Sequence, residues 1–325
     1  MNSHPYDPLT PDTVIDAVES TGRLSDARLL ALNSYENRVY QVGIEDGEPL
    51  IAKFYRPERW SLAQIEEEHS FSLELQDAEI SVVAPMVDEQ GRSIHEYQGF
   101  QFALFVRRGG YPPELDNLDN LLVLGRTLGR IHSVGKASRF QHRQRICIQR
   151  MLADNREFLL QNFIPKELRP AYETLTADLL KTVIDAYTPT AEDEIRVHGD
   201  CHVGNILWRD DVAHFVDLDD CVMAPAMQDL WMFLNGERHD REIQLSELIE
   251  GYSEFCDFDP RQLRWVEPLR TLRLINYAAW VARRWEDPAF PRSFTWFNTE
   301  RYWAEHILEL REQLATLQEE PLRLL

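Results

Sequence analysis

A ten-residue segment, HGDCHVGNIL at residues 198–207, constrains the fold of this chain more than any other. It holds His198, Asp200 and Asn205 in a polar stretch that ends where an apolar run begins. A second apolar run, AHFV, leads into the acidic segment FVDLDD, in which Asp217 comes twelve residues after Asn205. The pattern predicts a short loop that carries the first three residues, followed by a strand with Asp217 at its end.

This arrangement suits phosphoryl transfer. A carboxylate such as Asp200 can accept the proton of an acceptor hydroxyl, while an amide and a second carboxylate hold Mg²⁺ against ATP. We therefore expect Asp200 to be the general base, and Asn205 and Asp217 to be metal ligands, with Asp217 essential to catalysis. His198 is expected to order the loop rather than to take part in the chemistry.

Two other interpretations fit the same segment. Asp and Asn are common in turns, so the loop could be an ordinary one. Asp200 and His202 also form a D-x-H pair, which with His198, Asp217 and Asp219 could bind the two metal ions of a hydrolase. Only a kinase also needs an upstream lysine, a glutamate to pair with it, and a loop that covers the phosphates.

The upstream half contains such a lysine. Lys53 lies in the segment LIAKFY, residues 50–55, which has the character of a strand and is apolar or aromatic around the lysine. A buried ammonium group is costly unless it is paired, so Lys53 should have an anionic partner. A lysine that extends to solvent from an edge strand is the alternative.

The next helix has a start that can be located. Ser61 and Gln64 form a capping box, and Trp60 and Ile65 form a hydrophobic staple across it. Counted from this start, the buried stripe of the helix runs through Ile65, Phe71 and Leu75.

One of three consecutive glutamates falls on that stripe. Glu68 lies on it, whereas Glu66 and Glu67 point more toward solvent. A single carboxylate on a buried stripe, one helix after a single lysine in an apolar strand, is typical of the kinase pair that positions the α- and β-phosphates. We predict that Lys53 pairs with Glu68, and Glu67 is the second choice.

The phosphate-covering loop departs from the protein-kinase pattern. The segment NSYEN, residues 33–37, links two strand-like runs but lacks the glycines of G-x-G-x-x-G. A hairpin tip can still offer backbone N–H groups and the Ser34 hydroxyl to a phosphate. Ser34 is therefore a candidate nucleotide contact because of its place before Lys53, and an ordinary turn is the alternative.

The chain resembles bacterial members of the aminoglycoside phosphotransferase-like branch of the protein-kinase-like fold. The resemblance extends from residue 32 to residue 291. The stretches that carry it are LNSYENRVYQ, KFYRPERW, HGDCHVGNILWRD, FVDLDD, QDLWMFLNG and ARRWEDPAFP. It implies an ATP- and Mg²⁺-dependent cytoplasmic Ser/Thr protein kinase of envelope and oxidative stress responses, which also phosphorylates itself. By the same resemblance, Asp229 braces the backbone of the catalytic loop.

Other functions use the same residues. A kinase of a small alcohol, such as an aminoglycoside, choline or homoserine, shares every residue named above. A non-catalytic nucleotide-binding regulator is disfavoured because the lysine, the base and both metal ligands are present.

The expected fold class is α+β, a bilobal protein-kinase-like fold. Residues 1–106 should form an ATP-binding lobe, with an accessory first helix and an antiparallel sheet with one main helix. Residues 107–117, rich in Gly and Pro, suit a hinge. Residues 118–325 should form a mostly helical catalytic and acceptor-binding lobe. ATP would lie beneath the hinge, with adenine contacts from FALF.

The charge of the chain bears on its partners. With 34 basic and 55 acidic residues, the net charge of −21 disfavours binding to nucleic acid or anionic lipid. No apolar run approaches the length of a membrane span, and the polar start lacks the pattern of a signal peptide. We expect a monomer that remains in the cytoplasm and acts on a protein substrate through a Ser or Thr acceptor.

Three further assignments are left open. Cys201 beside the base is expected to be a small buried filler rather than a redox switch. Asp219 could approach a second metal ion, although a solvated position after the strand is the default for Asp219 and Asp220.

The last open assignment is a stripe on one helical face, where basic and aromatic side chains recur at helical spacing. It could grip an acidic or phosphorylated stretch of a protein substrate. We favour pairing of its arginines with the protein's own carboxylates and burial of its aromatic rings. The stripe consists of Arg270, Arg273, Tyr277, Trp280 and Arg284.

Overall fold

The computed structural model describes residues 5–32 and 34–325, and it places an antiparallel sheet before a mainly helical part. The first part contains α1 Pro11–Glu19, β1 Ser25–Ala31, β2 Arg38–Ile44, β3 Leu50–Phe54, α2 Leu62–Asp77, β4 His95–Tyr97 and β5 Phe100–Val106. This is the α+β architecture that the sequence predicts.

The second part is built from helices joined by short strands. Its helices are α3 Leu118–Gly135, α4 Asp154–Asn162, α5 Arg169–Ala186, α6 Met227–Leu230, α7 Arg238–Ser253, α8 Val266–Arg283, α9 Ala289–Ser293 and α10 Glu300–Thr316. Its strands are β6 Ile195–Val197, β7 Ile206–Arg209, β8 Val212–Phe215 and β9 Val222–Ala224. In the part of the chain that the structure describes, no helix is long and apolar enough to cross a membrane.

The sheet directs Lys53 toward α2. Its strand order is β1-β2-β3-β5-β4, with antiparallel neighbours throughout the described residues. Because side chains alternate between the faces of a strand, Ala52 and Phe54 pack on the side of α1. Tyr55, like Lys53, belongs to the opposite face, where Ala103 is paired with Lys53 and the core includes Ile65 of α2.

Helix α2 begins where the sequence predicts. The Ser61 side chain accepts from the Gln64 backbone N–H, and Gln64 Oε1 accepts from the Ser61 N–H at 2.9 Å, which confirms the capping box. Glu68 is 3% exposed, whereas Glu66 is exposed, so the predicted phase of the helix is confirmed. The stripe that it shares is fully buried and consists of Ile65, Phe71 and Leu75.

A short hairpin brings two of the predicted metal ligands to one end. Strand β8 confirms the strand predicted at AHFV, and it pairs with β7 so that Ile206 lies opposite Phe215. Asn205 directly precedes β7, and Asp217 comes two residues after β8 ends. Both residues therefore lie at the same end of the hairpin.

The segment between the two parts is irregular. Residues 107–117 contain no helix or strand, and Tyr111 is bridged to Trp208 of β7 through hydrogen bonds of 3.1 and 2.7 Å. The role of this segment as a hinge stays a prediction. The division of the chain into two lobes at residues 107–117 also stays a prediction.

Helices α3 and α7 pack at very short distance. A Cβ atom on Gly125 of α3 would lie 2.1 Å from the Leu248 carbonyl oxygen, so no larger residue fits there. The close packing buries His132 of α3, which hydrogen-bonds Tyr252 at 3.1 Å and Asp229 at 3.0 Å. His132 is thus a buried core histidine that is bonded to Asp229.

Candidate active site

The loop at residues 198–205 holds its polar side chains close to Asp217. Asn205 Nδ2 donates to the Asp200 carbonyl at 2.9 Å. The Asn205 carbonyl accepts from the Val216 N–H at 3.0 Å, and Val216 directly precedes Asp217. These bonds bring Asp200, Asn205 and Asp217 together, as predicted from their spacing.

Asp229 holds the backbone of this loop through hydrogen bonds. Its carboxylate is fully buried and accepts from the backbone N–H groups of His198 at 2.7 Å and Gly199 at 2.9 Å. Gly199 has a φ of +86°, and a Cβ atom there would lie 2.1 Å from the Asp220 carbonyl. Only glycine can therefore occupy this position. Asp229 braces the backbone in the manner that the resemblance implied.

The neighbours of Asp200 in the loop are buried. His198 Nε2 lies 2.9 Å from the Val216 carbonyl, so its ring joins two parts of the backbone instead of facing Asp200. Cys201 is fully buried, which confirms the prediction of a small filler, and burial raises the pKa of its thiol well above the ordinary value. Neither side chain is placed for chemistry at the Asp200 carboxylate.

Lys53 lies at the centre of an acidic cluster. Its Nζ is 2.9 Å from Asp217, 3.2 Å from Asp219 and 3.6 Å from Glu68, and its side chain is 7% exposed. Burial alone would lower the pKa of Lys53, but the charges of Asp217, Asp219 and Glu68 outweigh it and hold that pKa well above the ordinary value. The group is therefore a permanent ammonium ion, which can bind phosphate oxygens.

The position of Asp219 differs from the one expected from the sequence. A solvated position was the default, but Asp219 is 2% exposed. It pairs with Lys53 and Arg59 and accepts from Asn37 Nδ2 at 3.2 Å. Burial alone would raise the pKa of Asp219, and these cations hold it below the usual range instead. Asp220 has a half-exposed side chain that pairs with Arg59 at 2.7 Å.

Glu67 is not the partner of Lys53. Its carboxylate accepts from the backbone N–H groups of Gln141, His142 and Arg143 at 2.5, 2.9 and 2.7 Å. The loop that it holds carries a guanidinium that the sequence analysis missed. Arg143 lies 3.8 Å from Glu68 and donates to the carbonyls of Leu218 and Asp219.

The loop at residues 34–37 is bound within itself and to the helical part. The Ser34 hydroxyl donates to the Asn37 carbonyl at 3.0 Å, which is the bond of an ordinary turn. Asn33 of the same segment lies outside the described residues. Glu36 is 8% exposed, accepts from Trp280 Nε1 at 2.7 Å and pairs with Arg284. The loop is therefore bonded within itself through Ser34 and to the helical part through Glu36.

The stripe on α8 pairs with the protein's own carboxylates, as favoured from the sequence. Arg270 lies 3.2 Å from Glu267, and Arg284 pairs with Glu36. Tyr277 is 41% exposed and stacks on Trp280, so one of the two rings stays at the surface. The stripe therefore offers no continuous row of free arginines to an acidic peptide.

Arg273 differs from the other two arginines because its partner is Asp200. Its Nη1 lies 2.5 Å from Asp200 Oδ1, and His202 Nε2 lies 3.4 Å from Asp200 Oδ2. Burial alone would raise the pKa of Asp200, but the hydrogen bond from His202 and the charge of Arg273 hold it below the usual range. Asp200 is therefore an ionised carboxylate, the form that a general base requires.

Two curated relatives match nearly the whole chain. Stress response kinase A of Escherichia coli strain K12 is 45% identical over 320 residues, which cover 98% of this chain and 97% of the relative. The serine/threonine protein kinase RdoA of Salmonella typhimurium strain LT2 is 44% identical over 324 residues, which cover 99% and 98%.

Solved structures share the fold. Amicoumacin kinase hAmiN, solved in complex with AMP-PNP, Ca²⁺ and Ami, superposes with a TM-score of 0.71 at 19% identity and covers 91% of this chain and 90% of its own. The microcompartment-associated aminopropanol kinase superposes with a TM-score of 0.66 at 18% identity and covers 90% and 91%. The sequence pattern of the phosphotransferase enzyme family matches residues 28–266. This chain belongs to the phosphotransferase enzyme family.

Proposed function

We propose that this chain is an ATP- and Mg²⁺-dependent protein kinase that phosphorylates Ser or Thr hydroxyls of a protein. The observation that carries the proposal is the buried Lys53 ammonium, held by Glu68 and Asp219 beside the loop of Asp200. The names of the relatives, stress response kinase A and serine/threonine protein kinase RdoA, support a protein acceptor and a role in stress responses.

The donor set fits Mg²⁺. Asn205 uses its amide nitrogen to bond Asp200, which leaves the amide oxygen for a cation. The Asp217 side chain is 53% exposed, so its carboxylate can be reached by a partly hydrated ion. Oxygen ligands of this kind are those that Mg²⁺ prefers, and it keeps several waters when bound. Bound there, Mg²⁺ would neutralise charge on the phosphates.

The remaining groups divide the work of transfer. Lys53 binds phosphate oxygens, and Glu68 fixes the position of its ammonium group. Asp200 accepts the proton of the incoming hydroxyl while that oxygen forms a bond to the γ-phosphorus. The bond between the γ-phosphorus and the β–γ bridging oxygen breaks, so ADP leaves and the proton stays on Asp200.

Transfer of labelled γ-phosphate tests the function. The full chain with Mg²⁺ and γ-labelled ATP is incubated either with a bacterial protein extract or with a panel of aminoglycosides, choline and homoserine. We expect more label in protein bands than the extract gives by itself, and label in the chain, and both gains should fall by at least about 10²-fold in the Asp200→Asn variant. Label in a small alcohol with none in protein would replace the protein-kinase proposal by a small-molecule kinase.

The role of Asp217 has its own test. Asp217 has φ and ψ of 59°, a conformation that Asn tolerates better than Ala, so Asp217→Asn removes the charge with little backbone strain. We expect the increase in nucleotide affinity on adding Mg²⁺ to fall at least about 10-fold, since even indirect partners of a metal cost that much. Calorimetric titration with AMP-PNP, with and without Mg²⁺, measures it.

The exposed Asp178 provides a matched control for that titration. Asp178→Asn should keep the full effect of Mg²⁺. If Asp217→Asn and Asp217→Gly, which also tolerates this backbone conformation, both keep it, the cation is held by another group, and Asp217 is not a metal ligand.

A further inference from the structure

Arg273 lies on α8, far along the chain from the loop at residues 198–205, and contacts the Asp200 carboxylate of that loop. One of its five N–H donors binds the Asp200 carboxylate at 2.5 Å. Among the described residues, Arg273 makes no other hydrogen bond, so its other donors have no partner there, and its side chain is 34% exposed. The side chains of Arg270 and Arg284 on the same stripe are 25% and 18% exposed, and they pair with Glu267 and Glu36.

The other cations near the site are already engaged. Arg59 is held between Asp219 and Asp220. Arg143 is fully buried against Glu68 and two backbone carbonyls. Lys53 lies among the carboxylates of Glu68, Asp217 and Asp219. Of the cations in these contacts, Arg273 is the one that touches the base and keeps free donors.

The chemistry places the transferred group within reach of those donors. An acceptor oxygen lies about 2.6–3.2 Å from its base. It lies about 3–3.5 Å from the atom that it attacks. The phosphorus atom is therefore within about 7 Å of the Asp200 carboxylate. The remaining N–H donors of a guanidinium that is bonded to that carboxylate through one nitrogen lie within the same radius.

A cation at this position would stabilise the transition state. In a loose transfer, negative charge spreads over the three equatorial oxygens of the phosphoryl group, and an arginine supplied from the same chain can stabilise it. We propose that Arg273 is a further catalytic residue, whose guanidinium binds the phosphoryl group during transfer while it orients Asp200. This inference rests on the proposed kinase function.

A binding experiment separates Arg273 from the rest of the nucleotide site. The affinity of the chain is measured for Mg·ADP and for Mg·ADP with aluminium fluoride, which imitates the planar phosphoryl group. We expect Arg273→Met to bind ADP like the wild type and to lose about 10²-fold or more of the affinity for the aluminium fluoride complex. Arg273→Lys should recover part of that loss, because it keeps the charge without the fork.

Arg283 provides the matched control. It is an exposed arginine of the same helix whose guanidinium bonds Asn155 instead of a residue of the site. Arg283→Met should leave both affinities unchanged. Equal losses for both ligands in Arg273→Met, or no loss for either, would overturn the proposal. A wild-type chain that binds no ADP would instead refute the kinase function on which it rests.

Kinetics in a variant without the base separates catalysis from orientation. In the Asp200→Ala background there is no carboxylate to orient, so a purely orienting Arg273 would have nothing left to do. We expect Arg273→Met to lower the residual hydrolysis of ATP in that background by a further factor of about 10², the loss expected for one strong donor to the transition state. Identical residual rates with and without Arg273 would reduce it to a positioning residue of Asp200.

Discussion

Asp200→Asn is expected to lower the rate of phosphoryl transfer by about 10²- to 10⁴-fold, the range for loss of a positioned base. Nucleotide affinity should remain close to wild type because Lys53 and Asp217 are untouched. The fold should also hold, since an Asn side chain can still accept from Arg273, which donates to Asp200 at 2.5 Å. Single-turnover kinetics with γ-labelled ATP and calorimetry with AMP-PNP measure the two quantities.

An exposed aspartate near the same loop serves as the control. Asp210 lies at the turn of the β7–β8 hairpin, and its side chain is 88% exposed. Asp210→Asn should transfer phosphate at the wild-type rate. Turnover near the wild-type rate in Asp200→Asn would show that another group accepts the proton.

Lys53→Met is expected to lower the rate of transfer by at least about 10²-fold, comparable to the loss of a preorganised charge-stabilising donor. The reason is that Lys53 is the ammonium group placed to bind the phosphates. Adding Glu68→Gln should cost little more, because the two residues act as one unit and their effects on the rate are not additive. Full additivity would argue against a functional pair.

Glu68→Gln, when added to Lys53→Met, should increase the stability of the fold although it lowers the rate slightly. Removing Lys53 leaves Glu68, which is 3% exposed, with Arg143 at 3.8 Å as its remaining cation. Breaking a buried ion pair costs about 3–5 kcal/mol, and the lower end applies because Arg143 and Arg59 still neutralise the cluster. Burial raises the pKa of Glu68 to about 7 even beside Lys53, so the stranded carboxyl is charged at alkaline pH. At that pH Glu68→Gln removes the charge, and the double variant should be more stable to urea than Lys53→Met.

Lys166 is exposed and provides the control for this pair. Lys166→Met should change neither the rate nor the free energy of unfolding by more than a surface substitution does, within about 0.5 kcal/mol. A double variant that is less stable than Lys53→Met would mean that Glu68 is stabilised chiefly by groups other than Lys53.

The residues that the sequence predicts correctly are those fixed by local signals. The start of α2 is set by Ser61 and Gln64, and from it the burial of Glu68 follows by counting turns. Asp200 and Asn205 lie within one loop, whose spacing alone brings them together. Such features depend on neighbours in the chain, and helix caps and periodicity report them directly.

The residues that it misses depend on partners far along the chain. Asp219 is buried because Arg59 and Asn37 reach it from 160 and 182 residues away. The stripe on α8 is visible as a periodicity, but its Arg273 meets Asp200 over a separation of 73 residues. Periodicity shows which residues share a face, and only the tertiary fold decides what that face meets.

The contacts of α2 bear on how the activity can be controlled. Glu67 fastens the helix to three backbone N–H groups, Gln64 donates to the His142 carbonyl at 3.0 Å, and Glu74 pairs with Arg196 at 2.7 Å. Hydrogen bonds to charged groups contribute about 1.5–3 kcal/mol each, so a swing of α2 would be costly. Many kinases are switched off by such a swing, which separates the lysine from its glutamate. In this chain these contacts oppose such a swing, and we expect output to follow the amount of enzyme synthesised and the supply of acceptor.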